Sequence, residues 1–170
     1  MKTIKRLLQP ILMVTLLASP VALAETLART FVPEEVFAGR SEGKGTLRLL
    51  GKSRGFTVES LGTSLASGQL KLEQRVRFDG KPVRSRTWLI MQTTPGNYTA
   101  TLTDAAGPVV GRTEGGRLTL RYPLTRWGLV MHQTLDLKPD GHTVANHGSI
   151  RLLGREIGRL DETIELHRPD

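Results

Sequence analysis

Eight residues have the chemistry to act inside an apolar enclosure: Arg86, Trp88, Tyr98, Asp104, Tyr122, Gln133, Asn146 and Glu162. Each falls in step with apolar neighbours when the chain is read with a period of two. Arg84, Arg86, Trp88 and Ile90 share a face, as do Tyr98, Leu102 and Asp104. Gln133 lies with Met131 and Leu135, Asn146 with Val144, and Glu162 with Leu160 and Ile164. A charge placed among apolar groups is costly unless it is paired. Two readings follow. In one, Arg86 faces the carboxylate or phosphate of a ligand, and Trp88, Tyr98 and Tyr122 line the apolar part of its pocket. In the other, Arg86 pairs with Asp104 or Glu162, and the charges fill the interior and fix its register. The phase of 84–92 is itself two-sided, because Val83, Leu89 and Met91 make the opposite face equally apolar.

Catalytic patterns are scarce. The chain has no G-x-S-x-G, no P-loop and no H-E-x-x-H. Gly43-Lys44-Gly45 lacks the third glycine and the following helix of a dinucleotide site. His132, His142, His147 and His167 are dispersed, so no metal site is expected. Asp161 and Glu162 are neighbours and point to opposite faces of a strand, so they cannot work as a carboxylate pair. Asn97-Tyr98-Thr99 matches a glycosylation sequon, read here as chance. The chain contains no cysteine, which excludes disulfides, thiolate catalysis and iron–sulfur clusters. No catalytic residue and no cofactor is therefore expected. A binding module ranks first, a surface that contacts other envelope components second, and an enzyme using Arg86, Asp104 and Glu162 third. An enzyme would require a carboxyl group of raised pKa in a reachable pocket.

The elements that must hold these residues are strands. Gln69 to Asp79 alternates cleanly, with Leu70, Leu72, Gln74, Val76 and Phe78 against Lys71, Glu73, Arg75 and Arg77. Strands are also expected at 83–93, 98–104, 109–113, 117–124, 129–137, 143–153 and 156–167, with two shorter ones at 46–50 and 56–61. Turn chemistry separates them at Asp79-Gly80-Lys81-Pro82, Pro95-Gly96-Asn97, Gly107-Pro108, Gly115-Gly116, Lys138-Pro139-Asp140-Gly141 and Gly154-Arg155. About ten short strands with short connections predict an all-β domain. The expected architecture is a single up-and-down antiparallel β-barrel, because closure removes exposed edges. Residues 25–36 form an N-terminal segment, a short helix or turn docking through Leu27, Phe31 and Val36; the barrel spans 37–168.

Residues 1–24 read as a cleavable signal peptide. Lys2, Lys5 and Arg6 precede an apolar stretch from Leu7 to Leu23, which ends in Ala22-Leu23-Ala24. Pro10 and Pro20 argue against a spanning helix. A periplasmic address is expected, without lipid attachment, since no cysteine can carry it. The formal charge is +8, part of it in this leader. The remaining basic residues are scattered, so no nucleic-acid partner is expected. Ordinary solvated arginines are the leading account of them, and a weak attraction to anionic headgroups is the alternative. The partner expected is a lipid or other amphipathic small molecule held in the barrel.

The ordered series Phe37-x-Gly39-Arg40, Gly43-x-Gly45, Asp79-Gly80, Arg86-x-Trp88, Asp104-x-x-Gly107 with Gly111, then Tyr122, Asn146 and Gly154 resembles the bacterial domain of unknown function family 3833. The resemblance runs from about Phe37 to Leu166. It implies a lipocalin-like (calycin-type) barrel in the bacterial envelope, with no catalytic residues to carry over. The chain departs from that family in having no cysteine to lipidate, and in lacking an acidic-tryptophan motif around His132-Gln133-Thr134.

Overall fold

The computed structural model describes residues 29–167. The leader at 1–24 therefore lies outside the described residues, as does Leu27. A single helical turn, α1 (Pro33–Val36), precedes ten strands: β1 (Gly39–Leu49), β2 (Lys52–Ser64), β3 (Leu70–Phe78), β4 (Arg84–Thr94), β5 (Asn97–Leu102), β6 (Val109–Glu114), β7 (Arg117–Pro123), β8 (Leu129–Leu137), β9 (Thr143–Leu152) and β10 (Arg155–His167). Each strand pairs antiparallel with the next, and β1 pairs with β10, so the sheet closes on itself as an up-and-down barrel. Among the described residues α1 is the only helix, and it is four residues long.

The period-two pattern is what closes the sheet with a filled interior. Leu70, Leu72 and Val76 of β3, Leu118, Leu120 and Tyr122 of β7, and Met131, Gln133 and Leu135 of β8 are all buried. Outward positions carry charge, as in the pairs Lys71–Glu73, Arg75–Glu59 and Arg117–Asp136. The two-sided segment at 84–92 resolves with Trp88 and Ile90 buried, while Leu89 and Met91 lie on the outer face. An apolar inside and a charged outside is the reverse of a barrel that faces lipid.

The first two strands are much longer than the short ones expected from sequence, at 11 and 13 residues. Their inward positions include Ser41, Gly43, Gly45, Ser60 and Gly62, which give no apolar signal. The glycines stand where other groups need the space. A Cβ on Gly62 would strike the Phe37 carbonyl, and one on Gly45 would meet the Phe56 ring at 2.7 Å.

The ends of the barrel are built differently. At one, the chain before β1 folds back as a plug. Phe31 is fully buried, its N–H donates to the Gly115 carbonyl at 2.8 Å, and its ring packs 5.9 Å from that of Phe37. Val36 and Phe37 complete this cap over Leu70, Ile90, Leu118, Val144 and Leu166. At the opposite rim a small cluster of Phe56, Val58 and Val76, joined by Phe78, Leu47 and Leu160, fills the narrowing interior.

Candidate functional site

Between these apolar layers lies a belt of polar side chains in two arcs. On one side, Tyr122 Oη donates to Gln133 Oε1 (2.9 Å), Gln133 Nε2 donates to Asn146 Oδ1 (3.2 Å), and Asn146 Nδ2 donates to Glu162 Oε2 (2.7 Å). These residues come from β7, β8, β9 and β10, four consecutive strands. Such a chain of bonds spends one acceptor and one donor per amide and ends on the carboxyl group. On the other side, Gln74 Oε1 accepts from Arg86 Nε (2.8 Å) and from Trp88 Nε1 (2.9 Å), while Gln74 Nε2 donates to Ser60 Oγ (3.0 Å). The arcs meet where Trp88 packs edge-on against Tyr122, with ring centroids 5.6 Å apart. The Arg86 guanidinium lies 5.8 Å from the Trp88 ring centroid, within cation–π range.

The arcs do not join at β1. Ser41 is 3 % exposed, and no protein group reaches its Oγ. Gly43 stands next to it on the inward face, and a Cβ there would collide with Glu162 Oε1. The glycine makes room for that carboxyl oxygen.

A cavity of about 50 Å³ occupies this gap. Its polar wall includes Ser41, Gln74, Arg86 and Glu162; its apolar wall includes Leu72, Ile90, Leu120 and Leu135, and Phe37 lies at its boundary. As it stands the volume holds a few water-sized groups. The larger hollows at the surface, of about 420 to 550 Å³, lie on the outer face of the sheet. Each is bordered mainly by the outward residues on either side of an inward one, as Arg40 and Glu42 flank Ser41.

Burial pushes the Glu162 carboxyl above the ordinary range, against the Asn146 hydrogen bond and the Arg86 charge, which both act to lower it. Burial likewise pushes the Tyr122 phenol up to about 12, so it remains a donor at any physiological pH.

Of the eight residues singled out from sequence, Arg86, Trp88, Tyr122, Gln133, Asn146 and Glu162 come together in this belt. Tyr98 is buried inside the barrel but near the plug, where it accepts from Gln92 Nε2 at 3.2 Å. Asp104 is a correction: β5 ends at Leu102, the Ala105 N–H closes a turn onto the Leu102 carbonyl, and Asp104 is exposed. Neither internal ion pair expected from sequence forms. Ion pairs among the described residues lie on outward-facing positions, and Arg86 is in none of them. Sequence reasoning did not single out Ser41, Ser60 and Gln74. Gln74 carried a readable signal, as a lone amide on the apolar face of β3.

No curated protein matches the chain. Among solved structures, the fold is similar to the S-type phycobiliprotein lyase CPES from Guillardia theta, with a TM-score of 0.63 at 8% identity over 81% of this chain and 92% of that one. It is also similar to a protein of unknown function from the DUF3598 family of Nostoc punctiforme, with a TM-score of 0.55 at 11% identity over 86% of this chain and 53% of that one. At these identities the likeness is one of fold, a lipocalin-like barrel. The family model for proteins of unknown function DUF3833 matches residues 11–165, nearly the whole chain. The resemblance carried by the Arg86-x-Trp88 and glycine series is thereby established, and this chain belongs to the DUF3833 family.

Proposed function

We propose that this protein is an exported, periplasmic barrel that binds an amphipathic or lipidic small molecule, holding its carboxylate or phosphate head at the polar belt. The observation that carries the reading is the unjoined pair of Arg86 and Glu162. They line one cavity with opposite formal charges and make no bond to each other. Within the belt Arg86 bonds through Nε alone and Glu162 through Oε2 alone, which leaves the other guanidinium donors and Glu162 Oε1 for a ligand head.

The parts have distinct roles in this reading. Arg86 supplies the cation, already oriented by Gln74 and by the Trp88 ring. Glu162, its pKa raised by burial, donates a hydrogen bond when protonated, and the Ser41 hydroxyl adds another donor. The ligand's apolar part runs along Leu72, Ile90 and Leu135 toward Phe37. The volume now present fits the head alone, so a tail is accommodated by displacing the plug at Phe31–Phe37. Typical ligand pockets of about 300–1,000 Å³ set the scale of that displacement. The leader with its Ala22-Leu23-Ala24 end supports export, and the absence of cysteine supports a form free of lipid attachment. The leader segment itself lies outside the described residues. That a similar fold belongs to a phycobiliprotein lyase is compatible with small-molecule binding.

Native mass spectrometry of the protein purified from its own host tests this. The expected result is a mass adduct of several hundred daltons on the wild type, much reduced in Arg86→Gln. A bare mass in repeated preparations, or an adduct that Arg86→Gln retains in full, would overturn the assignment.

A further inference from the structure

The rim opposite the plug carries a feature that folding does not explain. The β1–β2 and β9–β10 turns have the same sequence pattern, Leu49-Leu50-Gly51-Lys52 and Leu152-Leu153-Gly154-Arg155. Each is a two-residue turn with positive φ at both central positions: 49° at Leu50 and 77° at Gly51, 49° at Leu153 and 83° at Gly154. Turns of this kind favour Asn or Asp before the glycine, because a branched apolar side chain is strained in the left-handed region. Both leucines adopt it, and both point away from the protein, Leu50 at 73 % and Leu153 at 83 % exposure.

The neighbouring β7–β8 loop adds a third apolar tip. Trp127 is 87 % exposed. The loop beneath it is held in shape, since Thr125 Oγ1 accepts from the N–H groups of Trp127 and Leu129. Because β1 pairs with β10, and β8 with β9, these three turns are consecutive around one rim. Arg48, Lys52, Arg54, Arg126, Arg151 and Arg155 surround them, all exposed. Of the acids at this rim, Glu156 is engaged with Arg159 at 2.7 Å, and Asp79 and Asp104 stand on the flanking β3–β4 and β5–β6 connections.

We infer that this rim is a docking surface for an anionic lipid bilayer. Two leucines and a tryptophan enter the interfacial layer while the surrounding cations face phosphate headgroups. Tryptophan favours that depth because its ring is apolar with one polar edge. Cations near an anionic surface add attraction that salt screens. The proposal is independent of whether the interior binds a ligand, since none of these residues lines the cavity.

The test is co-sedimentation with vesicles of phosphatidylglycerol and phosphatidylcholine, alongside vesicles of phosphatidylcholine alone. The variants are Leu50→Asn/Leu153→Asn, which suits both turns to their φ values, and Trp127→Ala. The wild type is expected to bind the anionic vesicles, more weakly as salt rises, with a blue shift of tryptophan emission that Trp127→Ala abolishes. The double variant is expected to bind at least about tenfold more weakly while melting no lower than the wild type. Absence of binding to anionic vesicles, equal binding by the double variant, or a salt-independent dimer that buries Trp127 in solution would each overturn the proposal.

Discussion

The two ends of the barrel solve the same problem in opposite ways. Each must finish an apolar interior at a ring of hairpins. At the plugged end the chain supplies its own cover: Phe31 and Val36 go inside, and a backbone hydrogen bond ties the cover to the β6–β7 turn. At the other rim the interior is already closed by Phe56, Val76 and Phe78, yet further apolar side chains, Leu50, Leu153 and Trp127, stand outside it. Burial at one end is therefore a matter of stability. Exposure at the other stabilises nothing in the isolated molecule, and its strained turns cost some stability.

The sharpest way to break that contrast is to truncate one residue from each end. Phe31→Ala is expected to cost about 3–5 kcal/mol, the range for a fully buried aromatic, and Leu153→Ala to fall within about 0.5 kcal/mol. Equilibrium urea unfolding of both variants reads the difference, and equal losses would remove the distinction between the ends.

The middle of the barrel gives the next largest effect. Glu162→Leu leaves Asn146 Nδ2 without its acceptor and is expected to cost about 1–3 kcal/mol. Gly43→Ala should disturb the same carboxyl group by displacing it. At the rim, Leu50→Asn and Leu153→Asn are expected to stabilise the protein by up to about 1 kcal/mol each, since asparagine tolerates the left-handed region better than leucine. A gain in melting temperature together with weaker vesicle binding would show a function held at the expense of stability.

The smallest effect concerns pH. The folded-state pKa of Glu162 is raised by burial. Its contribution to stability is therefore greatest below the ordinary carboxyl range and declines as pH rises from there through the folded-state value. Glu162→Gln should flatten the stability curve in that window, measured by urea melts at a series of pH values. An unchanged slope would mean that the carboxyl group ionises as if it were in water.

How much of this was legible in the sequence depends on side-chain size. β3 and β7 were readable because Leu70, Leu72, Val76, Leu118, Leu120 and Tyr122 alternate with charged or polar residues. The first half of β1 was not, because its inward positions are Ser41, Gly43 and Gly45, and the two glycines leave room for Glu162 and Phe56. Asp104 was misplaced because alternation continues past Leu102 in the sequence, although the ladder stops there and the chain turns. Six of the eight site residues came together because a barrel interior gathers every in-phase polar group. Which of them would bond to which could not be read from phase, and that choice decided against an internal ion pair. The recurrence of Leu-Leu-Gly-basic at two turns was a visible signal whose meaning required their exposure and φ angles.

The central claim is that Arg86 and Glu162 form a recognition site awaiting a ligand head. The most direct measurement is isothermal titration of wild type and Arg86→Gln with decanoate and with decyl phosphate. Arg86→Gln should fold normally, because Trp88 Nε1 still donates to Gln74 Oε1. The account predicts saturable one-to-one binding of at least one amphiphile by the wild type, weakened at least about tenfold in the variant. No binding of either amphiphile, or equal affinity in the two proteins, would contradict it.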